Sequence, residues 1–337
     1  MIERRYAHPV LDASALPADA PVALRLLGED WVAWRDGAGV PRAAPDRCPH
    51  RGTRLSIGRV CAGELECAYH GWRFGGDGRC TAIPALPGFA PPASHGLATR
   101  TLAEFGGLLW LQPDGGAPLL PAFGAESDAR LRYLSVGPYD VATSAPRIVE
   151  NFLDLAHFGF VHEGWLGDRA RTEVGAYRIE GTPNGFVATG CRAWQPRSHL
   201  RAAAGGAVEY RYELLAPYAA RLRKVARQRD EELCDEIALL VCPIEPEASR
   251  VWFRLAVDDP ASSDDDLRAF QHAIFLQDKP VLEAQVPRLL PLGAGEVHCA
   301  ADRSSTAYRR YLIDRGIAFG VTRPDEAPAE LPNAGDP

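Results

Sequence analysis

Two short segments near the start of the chain each combine one cysteine with one histidine. The first reads Cys48-x-His50 and the second Cys67-x-x-His70, with sixteen residues between them. Two tight turns of this kind, facing each other, would close a site with two thiolates and two imidazoles. Zinc accepts such a set, but zinc fingers usually pair cysteine with cysteine and histidine with histidine. The alternating order instead favours a [2Fe–2S] cluster in which both cysteines bind one iron and both histidines bind the other.

A second group of polar residues lies in the segment 147–164, whose apolar residues recur at helical spacing. Asn151, Asp154 and His157 are three residues apart and therefore share one face of the predicted helix. His162 follows five residues after His157, where an unbroken helix would turn it away, and we predict a local break at the glycine between them. On their own, two histidines on such a helix are as readily structural as metal-ligating.

Together the two groups resemble the large subunit of the Rieske non-heme iron oxygenases. The resemblance includes Pro49 and Gly52 in the first turn and Gly71 and Trp72 after the second one, and it extends over most of the chain. It implies a Rieske [2Fe–2S] cluster held by the four motif residues. It also implies a mononuclear Fe(II) bound by the two histidines of the predicted helix and by a carboxylate, with positions left open for O₂.

The resemblance takes the third iron ligand from a late helix, where Asp278 lies in the matching segment. It gives Asp154 a different role, a bridge that forms hydrogen bonds with His70 of the cluster and His157 of the iron site. Asn151 is predicted either to lie near the iron without binding it or to cap local backbone. The iron ligands implied are therefore the two helix histidines and Asp278.

The elements that must position these residues fall into two predicted domains, which makes the fold class α+β. Short apolar runs cut by glycine and proline predict an all-β domain over residues 1–120 that carries the cluster. A Pro- and Gly-rich stretch separates it from a catalytic domain over 121–320, predicted as an antiparallel sheet flanked by helices, of the helix-grip (START-like) kind. Residues 321–337 have the composition of a flexible tail.

The late helix has a clear start in the sequence. A capping signal at Ser263–Asp266 precedes a helical pattern over 267–286, which contains Asp278. Pro280 lies inside this pattern and is predicted to kink the helix, because proline removes one backbone hydrogen bond.

The composition excludes several classes of protein. The chain has 337 residues, with 37 basic and 44 acidic side chains and a net charge of −7, which offers nucleic acid little to bind. It contains no long apolar run, and its charged first residues lack the apolar core of a signal peptide. We therefore expect a cytoplasmic protein with no membrane span.

Within the resembling family, the chain is most similar to the monooxygenase branch that includes vanillate, dicamba and caffeine demethylases. This implies an oxygenase component that hydroxylates or oxidatively demethylates a small aromatic substrate with O₂. A dioxygenase-type ring hydroxylase is one alternative, and a Rieske electron-transfer protein or a zinc-stabilised interaction protein represents other classes. Leu155, Phe158, Phe160 and Ile274 are predicted to line the substrate pocket or to pack in the core.

The expected partners follow from what the sequence lacks. No ferredoxin-type cysteine run and no nucleotide-binding glycine motif is found, so electrons from NAD(P)H must arrive through a separate ferredoxin or reductase. The arginine-rich segment 221–229 is predicted as a solvated strand or loop, or else as a docking site for an acidic ferredoxin. The resemblance further implies a homotrimer, a head-to-tail ring in which the cluster of one chain lies beside the iron of the next across Asp154.

Overall fold

The structure is a computed structural model, and it describes residues 1–117, 120–121, 123, 128, 130–197, 204–228 and 231–323. The chain divides into two compact units. The first comprises Arg4–Pro121 and Cys242–Glu245, and the second comprises Met1–Glu3, Ala122–Val241 and Pro246–Pro337. None of the described helices combines the length and the hydropathy that a bilayer-spanning helix needs.

The first unit consists mainly of short strands. They are β1 (His8–Asp12), β2 (Val22–Leu26), β3 (Glu29–Arg35), β4 (Pro41–Pro45), β5 (Arg59–Cys61), β6 (Glu64–Glu66), β7 (Arg73–Phe74), β8 (Cys80–Ala82), β9 (Arg100–Thr101), β10 (Ala103–Phe105) and β11 (Leu108–Leu111). They form sheets with the orders β1-β11-β10, β2-β3-β4-β9 and β5-β6-β7-β8, and neighbouring strands are antiparallel. The prediction of an N-terminal all-β domain is confirmed.

A tight apolar core supports the cluster motif in this unit. Trp34, Leu65 and Phe74 are fully buried, and Cys48 and Cys67 pack in the same group of side chains. Close packing of this kind leaves side chains little room to move. The two cysteines therefore have fixed positions at the base of the motif.

The second unit combines long strands with a few helices. The strands are β12 (Arg132–Val141), β13 (Arg178–Gly181), β14 (Phe186–Gln195), β15 (Gly206–Ala216), β16 (Ala219–Gln228), β17 (Glu231–Glu245), β18 (Ala248–Val257), β19 (Leu290–Pro291) and β20 (Val321–Thr322). The last four residues of β17 belong to the first unit. The helices are α1 (Ala145–Phe152), α2 (Phe158–Val161), α3 (Asp264–Ala284) and α4 (Arg303–Arg315). The predicted antiparallel sheet with flanking helices is confirmed.

The main sheet of this unit has the strand order β12-β18-β17-β16-β15-β14-β13. Strand β15 alternates in burial, as a strand of a sheet covered on one face requires. In β15, Val208, Tyr210 and Tyr212 are buried, whereas Glu209 and Arg211 are exposed. One face of the sheet therefore presents apolar and aromatic side chains toward the interior.

Helix α3 begins as the sequence predicts. The Ser263 side chain accepts a hydrogen bond from the backbone N–H of Asp266 at 3.1 Å, and the Asp266 carboxylate accepts one from the Ser263 N–H at 3.2 Å. This reciprocal pair is a capping box, which satisfies two N–H groups at the helix start. The helix continues through Pro280, and Asp278 lies on its buried face.

The segment around the two helix histidines differs from the prediction of a helix over 147–164. Helix α1 ends at Phe152, and α2 begins only at Phe158. The break has a local cause, because the Asp154 carboxylate accepts hydrogen bonds from the backbone N–H groups of Ala156 at 2.9 Å and His157 at 3.3 Å. Such side-chain bonds compete with the helical ones.

The predicted break at Gly159 is therefore wrong, and this glycine lies within α2. Its lack of a side chain has a packing reason instead. A Cβ atom at Gly159 would lie 2.9 Å from Thr172 Cγ2 and 3.1 Å from the Asp168 carbonyl oxygen. The following loop can pack closely against α2 only because residue 159 is glycine.

The predicted tail over 321–337 begins with ordered residues. Val321 is buried, and β20 pairs in parallel with β19. The tail prediction is wrong for residues 321 and 322, because an apolar residue in this strand covers part of the second unit. Residues 324–337 lie outside the described residues.

Candidate metal centres

The two segments of the cysteine–histidine motif fold into matched turns. The Cys48 N–H donates to the Thr53 carbonyl at 2.8 Å and the Cys67 N–H to the Trp72 carbonyl at 2.9 Å. In each turn a glycine N–H donates back to the cysteine carbonyl, Gly52 at 2.9 Å and Gly71 at 3.0 Å. Both glycines have positive φ, +74° and +68°, which other residues adopt only with strain. The two turns thus share one hydrogen-bond pattern, and each carries its histidine two or three residues after the cysteine.

The two imidazoles of the motif lie close together, and so do its two thiols. The ring centroids of His50 and His70 are 4.5 Å apart, and the Trp72 ring stacks on His50 at 4.5 Å. His50 Nδ1 is buried and has no hydrogen-bond partner among the described residues. A buried nitrogen without a partner is costly, so its position fits that of a metal ligand.

The thiols of this motif also fit a metal cluster. Cys48 and Cys67 are both buried free cysteines. Burial, together with the neighbouring Cys67 thiol, raises the pKa of Cys48 to about 11. Two adjacent buried thiolates are thus unfavourable unless a cation neutralises them, and iron bound to both sulfurs supplies that charge.

The second centre joins residues from two separate parts of the second unit. His157 and His162 lie at the two ends of α2, and Asp278 comes from α3. Asp278 Oδ1 lies 3.5 Å from His157 Nε2 and 3.2 Å from His162 Nε2. The potential ligand atoms of these three residues all lie within 4.8 Å of one another. Two imidazoles and a carboxylate on one side of a site are the arrangement that non-heme Fe(II) prefers.

Both imidazoles have their second nitrogen held by an acceptor. His157 Nδ1 donates to Asp154 Oδ2 at 3.0 Å, and His162 Nδ1 donates to Gln277 Oε1 at 2.7 Å. These bonds leave each Nε2, which lies within 3.5 Å of Asp278 Oδ1, available to bind a metal. Metal-binding histidines are oriented in this way by acceptors behind them.

Asp154 and Asn151 complete the surroundings of this centre. Burial raises the pKa of the Asp154 carboxyl, but hydrogen bonds from His157 and from the backbone outweigh it and hold that pKa below its usual value. Asp154 is therefore a carboxylate anion that can accept hydrogen bonds. The Asn151 amide donates to Asp278 Oδ1 at 3.3 Å, which orients that carboxylate. Asn151 thus touches the centre rather than only capping backbone.

Comparisons with known proteins cover both units. The profile of the Rieske [2Fe-2S] domain matches residues 7–101, and that of the vanillate O-demethylase oxygenase C-terminal domain matches residues 141–314. The chain is 31% identical over 326 residues to methylxanthine N1-demethylase NdmA of Pseudomonas putida, which covers 92% of this chain and 88% of that protein. The chain belongs to the Rieske oxygenase family. It is therefore an oxidoreductase.

Two further comparisons support membership of the same family. The oxygenase is 38% identical over 238 residues to the probable methylxanthine N7-demethylase NdmC of Pseudomonas sp. (strain TJI-51), over 68% of this chain and 84% of that protein. The solved structure of NdmA from Pseudomonas putida CBB5 has a TM-score of 0.79 at 29% identity, over 93% and 90% of the two chains. Membership implies a [2Fe–2S] cluster, a mononuclear iron in the catalytic domain, a small-molecule substrate and separate electron-transfer partners.

An apolar cavity of about 390 Å³ adjoins the triad of the oxygenase. Of the four residues predicted to line it, Phe158 and Ile274 do so. Leu155 does not, because it packs in the core, and Phe160 does not, because its side chain is exposed. The cavity is large enough for an aromatic ring with small substituents.

The sequence analysis missed several polar residues of this cavity, and one of them, Lys224, lies in a segment that it had singled out. The arginine-rich segment predicted over 221–229 forms β16 up to Gln228, and Arg229 lies outside the described residues. Within that strand Lys224 lines the cavity together with Leu222. The sequence did contain a signal for this position. Residues 222, 224 and 226 lie on one face of a strand, and because 222 and 226 are apolar, that face is predicted to be buried together with Lys224.

Replacing Cys48 or Cys67 by serine is expected to remove the visible absorption of the oxygenase. A hydroxyl is a poor ligand for this cluster, and the buried site offers no other thiol in the matching turns. Absorption spectra and iron analysis measure the effect, with two irons lost and the mononuclear iron retained. Cys61→Ser is the matched control, because Cys61 lies between the turns and its thiol donates to Glu66 at 3.7 Å. Retention of colour in both variants would refute the cluster assignment.

Proposed function

We propose that the chain is the oxygenase component of a monooxygenase system that removes a methyl group from a small aromatic substrate by oxidation. The observation that carries this proposal is the triad of His157, His162 and Asp278 beside an apolar cavity. An electron-transfer protein needs neither the triad nor the cavity. The names of the relatives, methylxanthine N1- and N7-demethylases, support a methyl group as the site of reaction.

The residues that would hold the metals are those described above. Cys48, His50, Cys67 and His70 would bind the cluster, and the triad would bind the mononuclear iron. When bound, these groups supply electron storage and the activation of O₂. The overall reaction balances as substrate methyl ether or N-methyl group, O₂, two electrons and two protons giving the demethylated substrate, formaldehyde and water.

The side chains around the triad have positioning roles in this proposal. Asp154 and Gln277 hold the two imidazoles with Nε2 toward the metal position. Asn151 holds the Asp278 carboxylate through its amide. The apolar walls exclude water and place the methyl group of the substrate beside the triad, which limits side reactions.

We further propose that the protein works as a homotrimer, a closed ring in which the cluster of one chain lies beside the iron of the next. Two features of the described residues support it. The His70 side chain is exposed. The Asp154 side chain accepts a hydrogen bond from His157 and is still 27% exposed. A second imidazole can therefore reach it and donate another hydrogen bond. In this arrangement Asp154 links the two metal centres.

The test of the proposed function is turnover with a ferredoxin and a reductase on a panel of methoxy- and N-methyl-aromatics. We expect formaldehyde in equal amount to the demethylated product, with one electron pair consumed for each. His157→Ala serves as the inactive control. A cis-dihydrodiol in place of formaldehyde would support ring dioxygenation instead, and the absence of any oxidised product across the panel would refute demethylation.

A further inference from the structure

Lys224 is an unusual residue for the wall of an apolar cavity. It lies on β16, and the neighbouring cavity residue on the same face, Leu222, is buried. Lys224 itself is half-buried. Its neighbour in sequence, Arg223, belongs to the opposite face of the strand and is exposed. The lysine therefore reaches the cavity rather than the outer surface of the sheet.

The strands beside β16 bring polar groups to the same row of the sheet. Lys224 pairs in register with Tyr210 of β15 and with Asp235 of β17, and both of these residues also line the cavity. Asp235 is buried and accepts a hydrogen bond from the Asp258 backbone N–H at 3.1 Å. Arg197 is the other basic residue among the described cavity residues. The row forms a polar site in a cavity that is otherwise mainly apolar.

Within the described part of the chain, the ammonium group of Lys224 has no hydrogen-bonded or ion-paired partner. Among the described residues, no hydrogen bond and no ion pair within 4.0 Å involves its Nζ atom. Burial lowers the pKa of Lys224, and the charge of Asp235 opposes this only in part. A lysine has three N–H donors and no acceptor, so a partly desolvated lysine gains stability from any acceptor that enters the cavity.

The cavity places this donor on a different wall from the triad. The triad lies on α2 and α3, whereas Lys224 lies on the sheet. Aromatic rings connect the two walls, since the Phe158 ring lies 5.0 Å from that of His157 and 5.7 Å from that of Tyr210. An aromatic ring in this space can direct one substituent at the triad and another at the sheet.

We propose that Lys224 is a specificity-determining residue that donates a hydrogen bond to an oxygen acceptor on the substrate, a carboxylate or a ring carbonyl, while the methyl group faces the triad. That the methyl group faces the triad rests on the proposed function. The proposal adds a substrate class, since it selects aromatic compounds that carry an sp² oxygen away from the methyl group. The nearby Asp235 balances the charge of Lys224, so the site accommodates a neutral carbonyl as well as a carboxylate.

Equilibrium binding to the holoprotein, measured by titration calorimetry without O₂, tests this proposal independently of turnover. The probes are para-methoxybenzoate, para-methoxybenzamide and para-methylanisole, which share a methoxy group. Opposite that group the first carries a carboxylate, the second an amide carbonyl and the third a methyl group with no oxygen acceptor. We expect Lys224→Met to weaken binding of the two carbonyl probes about ten- to a hundredfold and to change binding of para-methylanisole less than about twofold. Lys224→Arg, which keeps N–H donors, is expected to recover part of the loss.

Arg227→Met is the matched control, because Arg227 lies on the same strand, is exposed and pairs with Glu232 at 3.0 Å outside the cavity. A larger loss for the benzoate than for the benzamide would identify an acid as the preferred substrate, and equal losses would identify a carbonyl compound. Wild-type protein that binds para-methylanisole as well as the carbonyl probes would overturn the proposal. So would a Lys224→Met variant that loses affinity equally for all three. Binding as expected, with no oxidised product from any member of the methoxy- and N-methyl-aromatic panel, would refute demethylation and leave the role of Lys224 intact.

Discussion

Asp278→Ala, His157→Ala and His162→Ala should each abolish formaldehyde formation while the visible spectrum of the cluster stays unchanged. Each substitution removes one of the three proposed iron ligands, which two separate parts of the chain bring together. Changes to residues that only orient a ligand already reduce metal affinity or activity about ten- to a hundredfold, so loss of a ligand should exceed that. Turnover and iron analysis measure the effect, with one iron lost for each chain and the cluster retained.

The control for these variants is Asp265→Ala, because Asp265 is an exposed acid on the same helix and has no contact with the triad among the described residues. It should retain turnover and iron. Full mononuclear iron in Asp278→Ala would show that another carboxylate is the third ligand. Asp154 would then be the first residue to replace.

Asp154→Asn should keep both metal centres yet lose most turnover. Its side-chain carbonyl can still accept the hydrogen bond from His157 Nδ1, so the imidazole stays in place. The variant replaces the other carboxylate oxygen by an amide NH₂, which cannot accept a hydrogen bond. That oxygen accepts from the Ala156 N–H at 2.9 Å and, in the proposed ring, also from His70 of the neighbouring chain. Iron content and cluster spectrum should match those of the wild type, and the rate of electron transfer from reduced cluster to iron site should fall. An unchanged rate would remove Asp154 from the electron path.

Rings that contain two different inactive variants test the same electron path while Asp154 stays unchanged. Cys48→Ser chains have no cluster and a complete triad, whereas His157→Ala chains have a cluster and an incomplete triad. In a ring with random mixing at equal amounts, about a quarter of the junctions join a good cluster to a good triad, and activity should return to about a quarter of the wild-type value. No recovery in verified mixed rings would mean that electrons pass within one chain.

The cluster motif is predictable from sequence because its chemistry is local. Each cysteine–histidine pair lies within one turn, and the glycines that such turns need stand at Gly52 and Gly71. The proposed iron site is different, because Asp278 comes from a helix far along the chain. Only the resemblance to a family pointed to it, since an acid on a helix is ordinarily solvated.

Two details of the second unit could not be read from periodicity. The apolar spacing of α1 and α2 suggests one helix, but backbone hydrogen bonds to the Asp154 side chain interrupt it. The charge of the segment around Lys224 suggests a solvated surface, whereas the pairing of β16 with β15 and β17 turns that lysine into the cavity. Both outcomes depend on contacts that a single stretch of sequence does not contain.

Helix α3 carries both a wall of the cavity and part of the proposed iron site. Ile274 and Phe275 line the cavity within one turn of Asp278, so a substitution that reshapes this wall also shifts the carboxylate. Leu222 and Ile237 line the cavity from the strands and have no such link. New substrate preferences, whether acquired in nature or selected in the laboratory, can therefore accumulate on the sheet while the helix stays constant and the iron chemistry is inherited intact.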